Sequence, residues 1–182
     1  MQNYHTLGTI QNVKDNEENT INLYFTVDAL MSAGFIPYMQ NTNNRIYTTV
    51  SAYGRIADLA KSQDNNTAAQ AQSCLIAINK YISEARIKIK GSKIYKAHPA
   101  QDFLQLVMHK RRTHSVSIVT CSPKLAHDIS ILNKLKSCEG SYTYCYHITN
   151  TGNLYDADIE HRLQTNGTVF FSLPLAAADR RM

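Results

Sequence analysis

Asp28, Asp102 and Asp128 each fall near an expected strand end or helix start. Carboxylates brought together from such positions hold hard divalent cations such as Mg²⁺ or Mn²⁺, the ligand chemistry of metal-assisted phosphodiester hydrolysis. Left apart, the same acids cap helices or lie as ordinary surface charge. A second chemistry is cationic. Arg86, Lys88, Lys90, Lys93 and Lys96 fall within a short run that contains no acid, and Lys110, Arg111 and Arg112 form another group between His109 and His114. Alternation puts Arg86, Lys88 and Lys90 on one strand face, a spacing suited to phosphate contact. Tyr81 and Tyr95 stand nearby as stacking surfaces for bases. The competing reading is structural: lysines shield an edge strand from pairing with another chain, and cations at a helix end complement its dipole.

Other chemistries find no support. Cys74, Cys121, Cys138 and Cys145 include no C-x-x-C pair, so they read as buried or incidental thiols of a reducing compartment, and a cytoplasmic location is expected. The histidines include no H-x-x-x-H pair, and His147 reads as a packed or hydrogen-bonded strand residue. The glycines do not cluster, and neither a phosphate-binding G-x-x-x-x-G-K loop nor a G-x-S-x-G elbow is present. The opening residues lack an apolar core behind a basic flank, and no stretch approaches the ~18 apolar residues of a membrane span, so neither a secretory leader nor a membrane partner is expected.

The elements that must position these groups follow from periodicity. Strands are expected at residues 21–27, 45–49, 86–90, 115–120 and 142–148, with a short one near 6–10 and a late one at 167–173. A short helix or turn at 28–35 should stop near Gly34 and Pro37. Longer helices are expected at 50–61, capped by Thr49 or Ser51, at 68–85, capped by Thr67, after Pro99, after Pro123, and near 156–163. With 182 residues, 43% apolar and 18% charged, the chain has material for one domain with a real core. Strands alternating with helices predict an α/β fold, a central mainly parallel sheet with helices on both faces. A polar extension is expected at 1–19, the domain at 20–150, and a C-terminal extension packed on or flanking it at 151–182. The net charge of +5 and a pI near 9.0 permit an acidic partner without requiring one.

Four patterns in order resemble the PIN-domain family of metal-dependent nucleases. Thr26-Val27-Asp28-Ala29-Leu30 is similar to the family's Asp-Thr-Asn-x-Leu at the end of the first strand, with Thr26 at the acid position. Ile56 and Leu59 follow the family's helical Glu, which places Arg55 there. Ala100-Gln101-Asp102-Phe103-Leu104 resembles the Ala-Asp helix start, with Gln101 at the acid. Thr120-Cys121-Ser122-Pro123-Lys124-Leu125-Ala126 resembles Thr-Asn-Asp-x-x-Leu-Ala, with Ser122 at the acid. The resemblance spans about residues 20–150 and implies a PIN-like α/β fold.

It also implies an inactive site. Two-metal cleavage needs negatively charged oxygen ligands, whereas Thr26, Gln101 and Ser122 are neutral and Arg55 carries a positive charge that repels a divalent ion by several kcal/mol at about 4 Å. Arg55 suits a phosphate instead. The expectation is a catalytically inactive module that binds nucleic acid, RNA in particular, through Arg55, Arg86, Lys88, Lys90, Lys93, Lys96, Lys110, Arg111 and Arg112, with no cofactor. One alternative is a protein-interaction or structural subunit, with a protein partner or a second copy. Another is a Mg²⁺- or Mn²⁺-dependent endoribonuclease whose acids have moved to Asp28, Asp102 and Asp128.

Overall fold

β-Branched and aromatic runs bounded by polar residues become the strands of one sheet. The computed structural model describes residues 23–91, 98–135 and 140–157. The expected extension at 1–19, its strand at 6–10, Lys93, Tyr95, Lys96, Cys138, the helix near 156–163 beyond residue 157, and the strand at 167–173 lie outside the described residues. In chain order the elements are β1 (Leu23–Phe25), α1 (Val27–Leu30), α2 (Phe35–Asn41), β2 (Ile46–Thr49), α3 (Val50–Leu59), α4 (Asn65–Ser83), β3 (Ile87–Lys90), α5 (Pro99–Lys110), β4 (Val116–Val119), α6 (Pro123–Lys134), β5 (Thr143–Ile148) and β6 (Leu154–Asp156).

The sheet runs β3-β2-β1-β4-β5-β6. The first five strands pair in parallel and β6 returns antiparallel to β5. An α/β domain with a mainly parallel sheet is thus the fold. Both sheet faces are covered, as a parallel sheet requires. Leu23, Phe25, Ile46, Ile87, Val119 and Ile148 point to one side, against α1, α2 and α4. Tyr24, Val116, Ile118 and Cys145 point to the other, against α3, α5 and α6. Full burial of side chains such as Phe25 and Ile118 contributes about 1.5–3 kcal/mol each. Among the described residues no helix is long and apolar enough to cross a membrane.

Several local expectations are corrected. The first strand does not run through Val27: Thr26 is the N-cap of α1, and Val27 opens that helix. Pro37 does not stop a helix but lies in the first turn of α2, where its missing N–H is one that would lack a helical partner anyway. The helix expected from 68 begins at Asn65 because Asp64, not Thr67, caps it. Asp64 Oδ2 accepts from the Thr67 backbone N–H at 3.0 Å and from its hydroxyl at 2.5 Å. β6 was not foreseen as a strand; it falls in the segment assigned to the C-terminal extension.

The Asp64 cap predicts an acid-sensitive helix start. The Thr67 hydroxyl, then the Thr67 backbone N–H, hold the Asp64 carboxyl below its ordinary range. A depressed carboxyl stabilises the fold above its unfolded-state pKa, and that contribution disappears as pH falls through the folded value. Amide exchange in the first turn of α4 should therefore accelerate below about pH 4, and Asp64→Ala should give fast exchange there at every pH.

Candidate functional site

Strand order places the candidate site. From β1 the chain winds outward through β2 to β3, and from β4 it winds the opposite way to β5. The order reverses between β1 and β4, and a crevice at the carboxyl ends of such a strand pair is where open α/β sheets bind ligands. Thr26 and Asp28 follow β1 at this point; Thr120, Cys121 and Ser122 follow β4.

Here the side chains bond to one another. Asp28 Oδ2 accepts the Thr120 hydroxyl at 2.8 Å and also the Cys121 backbone N–H. The Thr26 hydroxyl sits 2.5 Å from Asp28 Oδ1 and 3.1 Å from the Val119 carbonyl, so one proton serves two acceptors. The Ser122 N–H donates to Thr120 Oγ1 at 3.1 Å, and Ser122 Oγ caps α6 by accepting from Leu125 N at 3.3 Å. His147 Nδ1 lies 2.5 Å from the Thr120 carbonyl. A carbonyl only accepts, so Nδ1 carries the proton. Asp28 therefore latches the β1 end to the β4 end, across the mouth of the crevice.

The other positions are placed as follows. Arg55 is exposed in the second turn of α3, and Gln101 is exposed in the first turn of α5; neither joins this network. Asp102 is only 5% exposed, with Oδ2 beside Gly91 at the end of β3. Asp128 is half-buried in the second turn of α6. Among the described residues no three His, Cys, Asp or Glu side chains form a metal-holding group, so Asp28, Asp102 and Asp128 do not converge. All three stand on separate helices, Asp28 on α1, Asp102 on α5 and Asp128 on α6.

The basic surface divides. Lys88, Lys90, Lys110 and Arg112 are exposed. Arg111, expected among them, is only 3% exposed and donates from Nη1 to the Leu132 carbonyl at 3.0 Å, so it cannot reach a phosphate. Arg86 stands before β3 rather than on its basic face. Its guanidinium donates to the Met39 and Thr42 carbonyls, lies 5.0 Å over the Tyr81 ring, and meets Glu84 at 3.8 Å. It fastens α2 to the α4 end. Tyr81 is 4% exposed and its ring meets Phe35 edge-on, so it offers no stacking surface.

The sequence reading missed a different aromatic group. Tyr142 and Tyr144 are 44% and 43% exposed, with ring centroids 5.0 Å apart. The signal was present in Tyr142-Thr143-Tyr144-Cys145-Tyr146, where a period of two puts three tyrosines on one sheet face. Cys74 is a packing thiol: its Sγ lies 3.2 Å from the Leu30 carbonyl, and burial pushes its pKa up to about 12.

With this geometry in hand, comparison with protein-family models finds no match, and comparison with curated proteins finds none.

Proposed function

We propose that this domain is a PIN-like module that binds single-stranded nucleic acid, RNA in particular, without cleaving it. The observation that carries the reading is the carboxyl edge between β1 and β4, where two acid positions of the resemblance hold the neutral Thr26 and Ser122, while the other two, Arg55 and Gln101, stand exposed on α3 and α5 outside that network. Asp28, a carboxylate at the crevice mouth, accepts from two side-chain hydroxyls and a backbone N–H. Those bonds take three of its roughly four acceptor sites, which leaves one for a cation, and among the described residues no group of three His, Cys, Asp or Glu side chains forms around it. The parallel β3-β2-β1-β4-β5 order supports the PIN-like fold.

Exposed Lys88, Lys90, Lys110 and Arg112 supply cations for phosphates; Tyr144, by register on the opposite sheet face from Lys88 and Lys90, offers with Tyr142 a separate stacking surface for bases. Arg55, exposed on α3, adds a further surface cation. A fluorescent single-stranded RNA titrated with the protein should bind and leave intact strands in Mg²⁺ or Mn²⁺. With three or four phosphates contacted, log affinity should fall against log salt with a slope of about −2 to −3. Absence of binding at low salt, or Mn²⁺-dependent cleavage abolished by Asp28→Asn, would overturn the reading.

A further inference from the structure

A second feature lies on the sheet face beneath α5, toward the amino end of β4 and away from the Asp28 latch. A hollow of about 130 Å³ is lined by Tyr24, Tyr47, Lys90, Lys110, His114 and Ser115, with Val116 completing the wall. Its two cations come from separate elements, Lys90 from the end of β3 and Lys110 from the last turn of α5, and the His114 ring joins them from the turn that follows. Among the described residues that line it there is no carboxylate.

The aromatic wall fixes one of the cations. Tyr24 and Tyr47 stack with centroids 5.3 Å apart and planes inclined by 30°. The Lys90 ammonium lies 5.7 Å from the Tyr47 centroid, within the range of a cation–π contact. Burial, then the neighbouring Tyr47, raise the Tyr24 phenol above its ordinary pKa, so it remains a proton donor at neutral pH. A helix end explains a cation at Lys110 but not Lys90, which comes from a strand and turns toward the same hollow.

We propose that this hollow seats a single phosphate group. Two lysines lining one recess make it electropositive, and a tetrahedral oxyanion between them offsets that charge while accepting charge-assisted hydrogen bonds. The size agrees. At about 30 Å³ per water, 130 Å³ holds about four waters, enough for a phosphoryl group but well below the ~300 Å³ at which pockets for larger ligands begin. The phosphate belongs either to a nucleic-acid strand or to a small phosphate-bearing molecule. The seat does not depend on the carboxyl-edge reading.

The test compares the wild-type chain, the Lys90→Gln/Lys110→Gln double variant and a Lys61→Gln/Lys134→Gln control. Each is titrated with inorganic phosphate, followed by amide chemical shifts, and with single-stranded RNA, followed by anisotropy. Phosphate should shift the amides of Tyr24, Tyr47, His114 and Ser115 in the wild type and control, with at least tenfold weaker binding in the double variant. If a strand supplies the phosphate, RNA affinity falls about tenfold in the double variant with a shallower salt slope. If a small molecule supplies it, saturating phosphate at matched ionic strength leaves the wild-type RNA affinity within twofold while still shifting those amides, because strand and small molecule do not compete for the seat. Shifts spread evenly over exposed lysines, an adventitious ion only, or unchanged phosphate binding in the double variant would overturn the seat. A chain that binds phosphate here but no RNA keeps the seat and refutes the proposed function; RNA binding with no phosphate effect does the reverse.

Discussion

Asp28→Ala is expected to lower the free energy of unfolding by about 2–3 kcal/mol, because hydrogen bonds to a charged acceptor contribute about 1.5–3 kcal/mol each and partial exposure discounts their sum. The loss is concentrated in the Thr120 hydroxyl and the Cys121 N–H, which would both lose their acceptor at the crevice mouth. For a chain of this size the melting temperature should fall by roughly 5–10 °C. Asp28→Asn should be milder, near 1 kcal/mol. Its amide oxygen still accepts from Thr120 and Cys121, and the Thr26 hydroxyl can turn its proton fully to the Val119 carbonyl at 3.1 Å.

This ordering separates a latch from a metal ligand. Were Asp28 a ligand, Mn²⁺ would raise the melting temperature by mass action, and Asp28→Asn would abolish that rise while scarcely changing the metal-free protein. Thermal melts of both variants with and without Mn²⁺ read the difference directly. A wild-type melt that rises with Mn²⁺ and an Asn variant that does not would refute the latch.

The sequence exposes the repeating parts of this structure and hides the contacts made at a distance. The strands expected at residues 45–49 and 115–120 read correctly because short β-branched and aromatic runs suit a strand covered on both faces, and that preference is local. The Asp28 latch is invisible because its partners, Thr120 and Cys121, are brought there only by β1 pairing with β4. Arg111 shows a subtler limit. Lys110, Arg111 and Arg112 look alike in a row, yet at a helix end each residue turns about 100° from the last, so Lys110 and Arg112 face outward while Arg111 is buried against Leu132. Asn65-Asn66 reads as a turn by composition, but Asp64 supplies the cap that makes both helical. The site positions were legible as residue types; whether the acids meet was not, because that depends on the packing of α5 and α6 rather than on spacing.

The largest structural effect is expected at two glycines that hold α2 against the β5–β6 turn. Gly34 caps α2 at φ −79, so any residue could adopt its backbone, but a Cβ there would run into the Thr149 carbonyl. Gly152 has φ +84, and a Cβ would meet the backbone of Pro37 and Tyr38. In both cases the obstacle is backbone and cannot swing aside. Gly34→Ala should cost about 2–3 kcal/mol by overpacking alone. Gly152→Ala adds the left-handed backbone penalty of about 1–2 kcal/mol, for about 3–5 kcal/mol in all.

Gly91 isolates that backbone penalty. Its φ is +97, but a Cβ would meet nothing closer than 3.9 Å, so Gly91→Ala should cost only about 1–2 kcal/mol. Urea unfolding should give midpoints falling in the order Gly91→Ala, Gly34→Ala, Gly152→Ala, with slopes unchanged. A Gly152→Ala protein no less stable than Gly91→Ala would refute the close approach of α2 to this turn. The consequence reaches the site, since β5 also carries His147, whose Nδ1 donates to the Thr120 carbonyl beside the Asp28 latch. Gly152→Ala and Asp28→Ala should therefore be non-additive by about 0.5 kcal/mol or more, because displacing β5 removes part of the support on which the latch depends.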